Sequence, residues 1–307
     1  MKPFESENIS VNQRMIAAIS EPLQQAAAMA KLPQNPPKLR QPSVKELAEI
    51  KKQLQESPWD NSLISTDLFN SVTAADLSCG AILIFFGNLT MSICNSVNQI
   101  CLWMGVPRNF TIYLFYIDAP LRFITADEWP EKQHVNGGWN ASGTNTVVIY
   151  RREEWERVLI HEIIHSMGWD WTDMPIKPLS CWNLSDNSTV SPHLFEAWTE
   201  LLAEFLYCIW FNIPWYKQLT WMRKQALQIL ARYLHIGKWS ENTSIFAYYI
   251  LKTALSKYVA ELFVFGKPAS NTEYILCDLI SDELTALYSE AANIVPIDIS
   301  MRMSVPN

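Results

Sequence analysis

The sequence predicts an α+β fold in which a small sheet comes first and a mostly helical half follows. Short segments rich in β-branched and aromatic residues lie between residues 80 and 150, where they favour strands. After residue 180 the apolar residues recur at helical spacing. Strands followed by helices are typical of the α+β class. Thirteen Trp against nine Gly add the expectation of a densely packed interior.

The composition and charge exclude several classes of protein. Apolar residues make up 49% of the 307 residues and charged residues 18%, a balance that excludes a mostly disordered chain and allows a sizeable core. The net charge of −7 argues against a nucleic-acid partner held by a basic surface. No apolar stretch is as long as a membrane span, and the polar N-terminus lacks the apolar region of a secretory signal. We therefore expect a soluble intracellular protein without a membrane partner.

Residues 1–57 are more polar than the rest, and we expect them to form a helical and proline-rich arm or linker. Residues 16–29 are rich in Ala and Gln and favour a helix. Residues 32–42 contain four prolines, which exclude a helix or a central strand. Ser43 and Glu46 then have the spacing of a capping box, which predicts the start of a short charged helix.

The main domain is expected to cover residues 58–307, with a strand-containing half at 58–170 and a helical half at 171–307. Strands are predicted where β-branched and aromatic residues cluster, at residues 111–117, 133–140 and 146–150. The apolar segment 80–87 fits either a buried strand or part of a helix. Helices are predicted from apolar spacing at residues 92–104, 151–166, 193–210, 216–234, 242–263 and 272–292.

One predicted helix carries the motif HExxH. Positions i and i+4 lie on one face of a helix about a turn apart, so the imidazoles of His161 and His165 can bind one Zn²⁺. Glu162 can reach a water on the open side of the metal and accept its proton. Gly168 is expected to end the helix. The alternative interpretation is a core helix with two incidental histidines.

A catalytic zinc needs a third protein ligand. The longer pattern HExxHxxGxxH is matched at Gly168, but Trp171 stands where the third histidine would be, and Asp170 is one residue out of phase. This pattern is therefore only half matched, and the third ligand has to come from elsewhere in the chain.

Three carboxylates follow at positions i, i+4 and i+8 of a later predicted helix, at Glu196, Glu200 and Glu204. Apolar residues cover most of the remaining helix surface, so this stripe is expected to be buried and to need partners. We predict Glu196 as the third zinc ligand and Glu200 as the acceptor of the N–H of a ligand histidine. The alternatives are Glu200 as the ligand with Glu204 behind it, and three ordinary surface acids.

The HEIIH motif, the strand before it and the later ExxxE helix together resemble the zincin superfamily in its gluzincin-like form, which uses a Glu ligand. The chain also resembles a group of uncharacterised metalloproteases of large DNA viruses, in the segments VNGGW (135–139), VVIYRREEWERVLIHEIIH (147–165), EAWTE (196–200) and SIFAYYILK (244–252). The resemblance implies a zincin-like fold, a zinc cofactor and a protein or peptide substrate. A viral origin would imply the host-cell cytoplasm or the virion as its location.

The resemblance also implies where a substrate would bind. In zincins, an extended peptide lies between the strand before the motif helix and an edge strand. The similar positions here are residues 146–150 and 135–139, which makes Gly137, Gly138 and Trp139 candidate substrate-binding residues.

Further candidates rest on single residues. Tyr248 and Tyr249 lie in a segment that resembles the viral group, and a Tyr hydroxyl near zinc can stabilise an oxyanion, although core aromatics are the alternative. His193 is close in sequence to Glu196 and is a weaker candidate, whereas His134 and His235 are expected to be structural or surface residues. Cys181 could cap the zinc as a thiolate, although the six cysteines have no CxxC spacing and are expected to be reduced.

We therefore predict a zinc metallopeptidase, expected to be an endopeptidase, with His161, His165 and Glu196 as ligands and Glu162 as general base. The alternatives are a catalytically silent zincin-fold scaffold or interaction protein, and a zinc hydrolase of a non-peptide amide or ester. The presence of Glu162 favours an enzyme, because a structural zinc site needs no general base. Ten of the thirteen tryptophans lie between residues 139 and 239, which predicts a dry aromatic shell around the metal.

Overall fold

A computed structural model of the chain contains a mixed sheet and a larger number of helices. It describes residues 3–56, 64–118, 122–140, 144–170, 190, 193–265 and 273–305. The chain divides into a sheet unit, residues 26–121 and 136–169, and a helical unit, residues 1–25, 122–135 and 170–307. The predicted mixture of a small sheet and many helices is confirmed.

The strands, in chain order, are β1 Lys38–Arg40, β2 Val72–Asp76, β3 Ile82–Phe86, β4 Thr111–Phe115, β5 Phe123–Ile124, β6 Gly138–Asn140, β7 Thr146–Ile149 and β8 Ile299–Ser300. The helices are α1 Pro3–Ala30, α2 Val44–Glu56, α3 Met91–Met104, α4 Lys132–Val135, α5 Trp155–Ser166, α6 Leu194–Phe211, α7 Trp215–Ile236, α8 Lys252–Leu255, α9 Val259–Phe265 and α10 Glu273–Ala291. Six strands form the sheet of the first unit in the order β1-β2-β3-β4-β7-β6, and β5 pairs with β8 in the helical unit.

The centre of the large sheet is parallel. Strands β3, β4 and β7 run in the same direction, and α3 connects the first two, as a parallel crossover requires. These strands are almost continuously apolar because both of their faces are buried. The segment 80–87 is therefore a strand and not a helix. Helix α3 is capped by the Thr90 hydroxyl, which accepts from Ile93 N–H at 3.3 Å, and ends at Gly105 with φ 65°.

Residues of the N-terminal segment contribute directly to the sheet unit. The capping box is confirmed at the start of α2, where Ser43 N–H donates to Glu46 at 2.6 Å and Glu46 N–H donates to the Ser43 hydroxyl at 3.2 Å. Ile50 on α2 is completely buried in the cluster around Ile84 and Phe86. The proline-rich stretch contains β1, which is an edge strand, in agreement with the predicted exclusion of a central one.

Two predicted elements differ from the structure in their type or continuity. The strand predicted over 133–140 is wrong in its first half, where α4 makes a helical turn, and right only at β6. The single helix predicted over 242–263 is interrupted: Phe246–Leu251 is π-helical, and a 3₁₀ turn at Ser256–Tyr258 separates α8 from α9. A π turn inserts one residue into the helix, which a periodic apolar pattern does not reveal.

The helical unit is built mainly from α6, α7, α10 and the interrupted helix. Helix α6 is buried along nearly its whole length and ends at Asn212 with φ 55°, whereas α7 ends at Gly237 with φ 75°. Aromatic rings pack around the buried Trp239, which contacts Trp129, Tyr233 and Phe246. Among the described helices, none combines the length and the apolar character needed to cross a membrane.

Candidate metal centre

Helix α5 places the two motif histidines side by side. It follows β7 closely, and Gly168 lies just beyond its end with φ 64°, as predicted. His161 is buried and His165 is half-buried, and their Nε2 atoms lie 3.1 Å apart. The predicted helix and the predicted common face of the two imidazoles are therefore present.

The separation of the two Nε2 atoms suits a shared metal ion. If each nitrogen were about 2.0–2.1 Å from one zinc ion, a 3.1 Å separation would correspond to an angle of about 100° at the metal. That angle is close to the tetrahedral value that zinc sites prefer. The pair also fits a proton shared between two imidazoles, since one ring nitrogen can donate to the other.

The first turn of α5 is held by a buried pair of charges. Glu154, the residue before the helix, has a left-handed backbone with φ 60°, which is uncommon for a residue with a side chain. Its carboxylate lies 3.8 Å from Arg157, and both side chains are almost completely buried. This conformation explains why the helix predicted from residue 151 begins only at Trp155.

Side-chain hydrogen bonds hold the edge strand β6 at both of its ends. One joins Asn140 to α5, and the other joins Asn136, just before the strand, to Arg151. Asn140 Nδ2 donates to the Ser166 hydroxyl, which itself donates to the Glu162 carbonyl at 3.0 Å. Arg151 Nε donates to the Asn136 carbonyl at 2.7 Å. These bonds fix the position of β6 relative to the motif helix. Sequence reasoning did not single out these side chains, because a polar residue at a strand or helix end has no distinctive pattern.

Gly138 brings β6 into close contact with its neighbours. A Cβ at this position would lie 2.6 Å from the Val148 carbonyl oxygen and 2.8 Å from Val158, so only glycine fits. The same Cβ would lie 3.5 Å from Cγ of Glu162, which places the predicted general base beside the edge strand. Gly137 accepts from Tyr150 N–H at 2.9 Å. The Trp139 side chain packs on Tyr150 in the core, so a ligand on β6 could meet only its backbone.

The carboxylate stripe on α6 is buried, as predicted. Glu200 is 1% exposed and Glu204 is 0% exposed, so the alternative of three surface acids is wrong for these two. Glu204 pairs with Lys252 Nζ at 2.5 Å, and the lysine is also completely buried. Lys252 occupies Oε1 of Glu204, and the alternative of Glu200 as the ligand with Glu204 behind it stays a prediction. Sequence reasoning missed Lys252, although a lysine at the end of an apolar run was a visible signal.

Glu196, the predicted third ligand, is half-buried at the start of α6. It belongs to the helical unit, whereas His161 and His165 belong to the sheet unit, and its role as third ligand stays a prediction. Two imidazoles and one carboxylate are the donor set of a catalytic zinc with one position left for water. The role predicted for Glu200 stays a prediction.

The structure places the weaker tyrosine and histidine candidates in different environments. Tyr249 is 1% exposed and its hydroxyl donates to the Met301 carbonyl at 2.8 Å, which is the arrangement of a core tyrosine. Tyr248 is buried in the same π-helical turn and stays a candidate. His193 precedes α6 and packs on Phe195. His134 accepts from Glu131 N–H at 3.1 Å, and His235 is exposed at the end of α7, as expected of structural and surface residues.

The predicted aromatic shell is only partly reflected in the tryptophans that the structure describes. Trp155 and Trp198 are buried, but Trp169 is 41% exposed, and Trp239 is the centre of a separate aromatic cluster. Trp171 and Cys181 lie outside the described residues.

No family model matches the chain, and no curated protein or solved structure is significantly similar to it.

Proposed function

We propose that this protein is a zinc-dependent hydrolase of peptide bonds with a zincin-like arrangement of strand, motif helix and ligand helix. His161, His165 and Glu196 would hold the metal, and Glu162 would serve as general base. The observation that carries the proposal is the pair of Nε2 atoms 3.1 Å apart on a helix whose next residue after His161 is a buried glutamate. A scaffold has no need of that glutamate.

The donor set fits zinc by its chemistry, because two imidazole nitrogens and one carboxylate oxygen are ligands that catalytic zinc sites use, and the two Nε2 atoms lie 3.1 Å apart. Bound zinc would lower the pKa of a water to about 7 and polarise a carbonyl group. Glu162 would accept the proton of the attacking water and return it to the leaving amine. A buried position favours this role, since proton transfer is then shielded from bulk water.

Strand β6 supports a peptide as the substrate. It is the last strand of the sheet order, and β7 is its one strand neighbour within the described residues. An extended peptide can add to such an edge through backbone hydrogen bonds, which recognise any sequence. Gly138 holds this edge beside Glu162, so the scissile bond and the general base would be close together.

The metal is tested by the zinc content of the purified full chain. We expect about one zinc per chain in the wild type and almost none in His161→Ala or His165→Ala. The matched control is His235→Ala, because this exposed histidine on α7 should leave the zinc content unchanged. A wild type without bound zinc after purification and zinc titration would contradict the proposal.

The reaction is tested by Glu162→Gln, which keeps the side-chain shape and removes the base. We expect unchanged zinc content and a loss of peptide hydrolysis of at least about 10²–10⁴-fold. Glu156→Gln makes the same chemical change on the first turn of α5 and should keep activity. Cleavage of a peptide library identifies the substrate class. Equal cleavage by Glu162→Gln and the wild type would refute the mechanism, and hydrolysis of amides or esters without peptides would refute the substrate.

A further inference from the structure

The fold brings the turn that carries one cysteine of the sheet unit, Cys79, to the helix that carries another, Cys101. Cys79 lies in the turn between β2 and β3, and Cys101 lies in the second half of α3. Asn98 ties that turn to the helix: its Oδ1 accepts from Cys79 N–H at 3.3 Å, and its Nδ2 donates to the Ser78 hydroxyl at 2.9 Å. Residues i and i+3 share a helix face, so Cys101 faces the same turn. The bonds of Asn98 therefore hold Cys79 against the part of α3 that carries Cys101.

The two thiols have different environments. Cys79 is half-buried beside exposed residues of its turn, whereas Cys101 is completely buried. The hydrogen bond from Cys101 lowers the pKa of Cys79 to about 7, and the same contact together with burial raises the pKa of Cys101. Near neutral pH, Cys79 therefore carries the thiolate that a small oxidant can reach, and Cys101 keeps its proton behind it.

We propose that Cys79 and Cys101 form a redox modification site, in which a hydroperoxide oxidises Cys79 and Cys101 then closes a disulfide. The Cys79 thiolate attacks one peroxide oxygen, the O–O bond breaks, and the leaving oxygen takes a proton and departs as water or an alcohol. Sulfur is thereby oxidised to a sulfenic acid. The Cys101 sulfur then attacks the Cys79 sulfur, the S–O bond breaks, and water leaves with the thiol proton. Two thiols have supplied the two electrons that reduced the hydroperoxide.

The experiment exposes the reduced full chain to hydrogen peroxide, blocks the remaining thiols by alkylation, and maps the peptides without reduction. We expect a peptide pair joined through Cys79 and Cys101 that is lighter than its parts by two hydrogen atoms. Cys94, on the same helix, is the internal control, because burial raises its pKa to about 11 and it should stay a reduced thiol that is alkylated once the chain is unfolded. A disulfide from Cys79 to any other cysteine, or no disulfide, would overturn the proposal.

Two variants assign the roles of the two cysteines. In Cys101→Ala, the sulfenic acid at Cys79 should persist and be trapped by dimedone, whereas Cys79→Ser should form no disulfide and no adduct at Cys101. Cys94→Ala should form the disulfide as the wild type does. Because a buried substitution can impair folding, the wild type supplies an independent measurement: at pH 7, iodoacetamide should alkylate Cys79 at least about tenfold faster than Cys94. Equal rates at the two residues would contradict the proposal.

Discussion

Helices α5 and α6 both carry ionisable side chains one turn apart on a buried face, but these side chains have different kinds of partner. On α6 the carboxylate of Glu204 meets the ammonium group of Lys252 at 2.5 Å, and both side chains are completely buried. On α5 two like groups face each other, with the Nε2 atoms of His161 and His165 3.1 Å apart.

The difference separates a structural role from a ligand-binding role. A buried ion pair made of two side chains is electrically complete, so it needs no ligand and serves to join two elements. Two imidazole nitrogens at hydrogen-bond distance need either one shared proton or one shared cation between them. The buried ion pair thus makes the second half of α6 a scaffold, and under the proposed function the exchangeable ion belongs to α5.

The largest expected effect comes from breaking the ion pair on α6. Lys252→Met keeps most of the side-chain length but leaves the carboxylate of Glu204 buried beside an apolar group. Removing one partner of a buried pair costs about 3–5 kcal/mol. We therefore expect the free energy of unfolding, measured by urea denaturation, to fall by about that amount.

The double variant Lys252→Met/Glu204→Leu is the control for this loss. It removes both charges, and apolar replacement of a buried pair is often neutral or stabilising. We expect most of the lost stability to return. If the double variant is as unstable as the single one, the pair stabilises the fold by more than mutual neutralisation of charge. The contrast drawn with the histidine pair on α5 would then be wrong.

A smaller effect distinguishes the two glutamates nearest the start of α6. Loss of a residue that only orients a metal ligand typically weakens metal binding by about 10- to 100-fold. Loss of the ligand itself weakens metal binding by more than that. We therefore expect Glu196→Ala to weaken zinc binding by more than about 100-fold and Glu200→Ala by about 10- to 100-fold. Competition with a chromogenic chelator measures both. The reverse order would make Glu200 the ligand, whereas equal wild-type affinity in both variants would remove α6 from the metal centre.

The sequence predicted those features of the fold that depend on residues close together in the chain. The HExxH face, the capping box at Ser43 and the end of α5 at Gly168 each depend on residues within one or two turns, and each is confirmed. Long-range partners were not predictable in this way. Lys252 reaches Glu204 across 48 residues, and Cys79 meets Asn98 across 19, so only the folded chain brings them together.

The backbone conformation of single residues was a second feature that the sequence could not predict. Glu154 adopts a left-handed backbone conformation that no sequence pattern predicts. This conformation makes α5 several residues shorter than expected. The π-helical turn at Phe246–Leu251 shifts the helix phase by one residue, so Tyr248 and Tyr249 could not be assigned to a face from the sequence. The hydroxyl contact of Tyr249 with Met301 became evident only in the structure.

The smallest expected effect comes from an ion pair near the surface, which completes the comparison with Glu204 and Lys252. Arg40 Nη2 lies 2.6 Å from Glu46, and both side chains are partly exposed. The hydrogen bond from Arg40 is the main cause that lowers the pKa of Glu46 to about 2, from 4.5 in the absence of partners. A carboxyl group whose pKa is lower in the folded state stabilises the fold above its unfolded value, and this contribution is lost as the pH falls from about 4.5 towards 2.

Glu46→Gln tests this contribution, because glutamine can still cap α2 at Ser43 but no longer carries the charge. Solvent screening limits such a pair to at most about 1 kcal/mol, so the variant should lose no more than that near neutral pH. Urea denaturation of both proteins between pH 7 and pH 2 should show the difference in free energy of unfolding shrinking below about pH 4.5. A difference independent of pH would assign the effect to packing and not to charge. A loss as large as that of Lys252→Met would mean that exposure to solvent does not distinguish the two pairs.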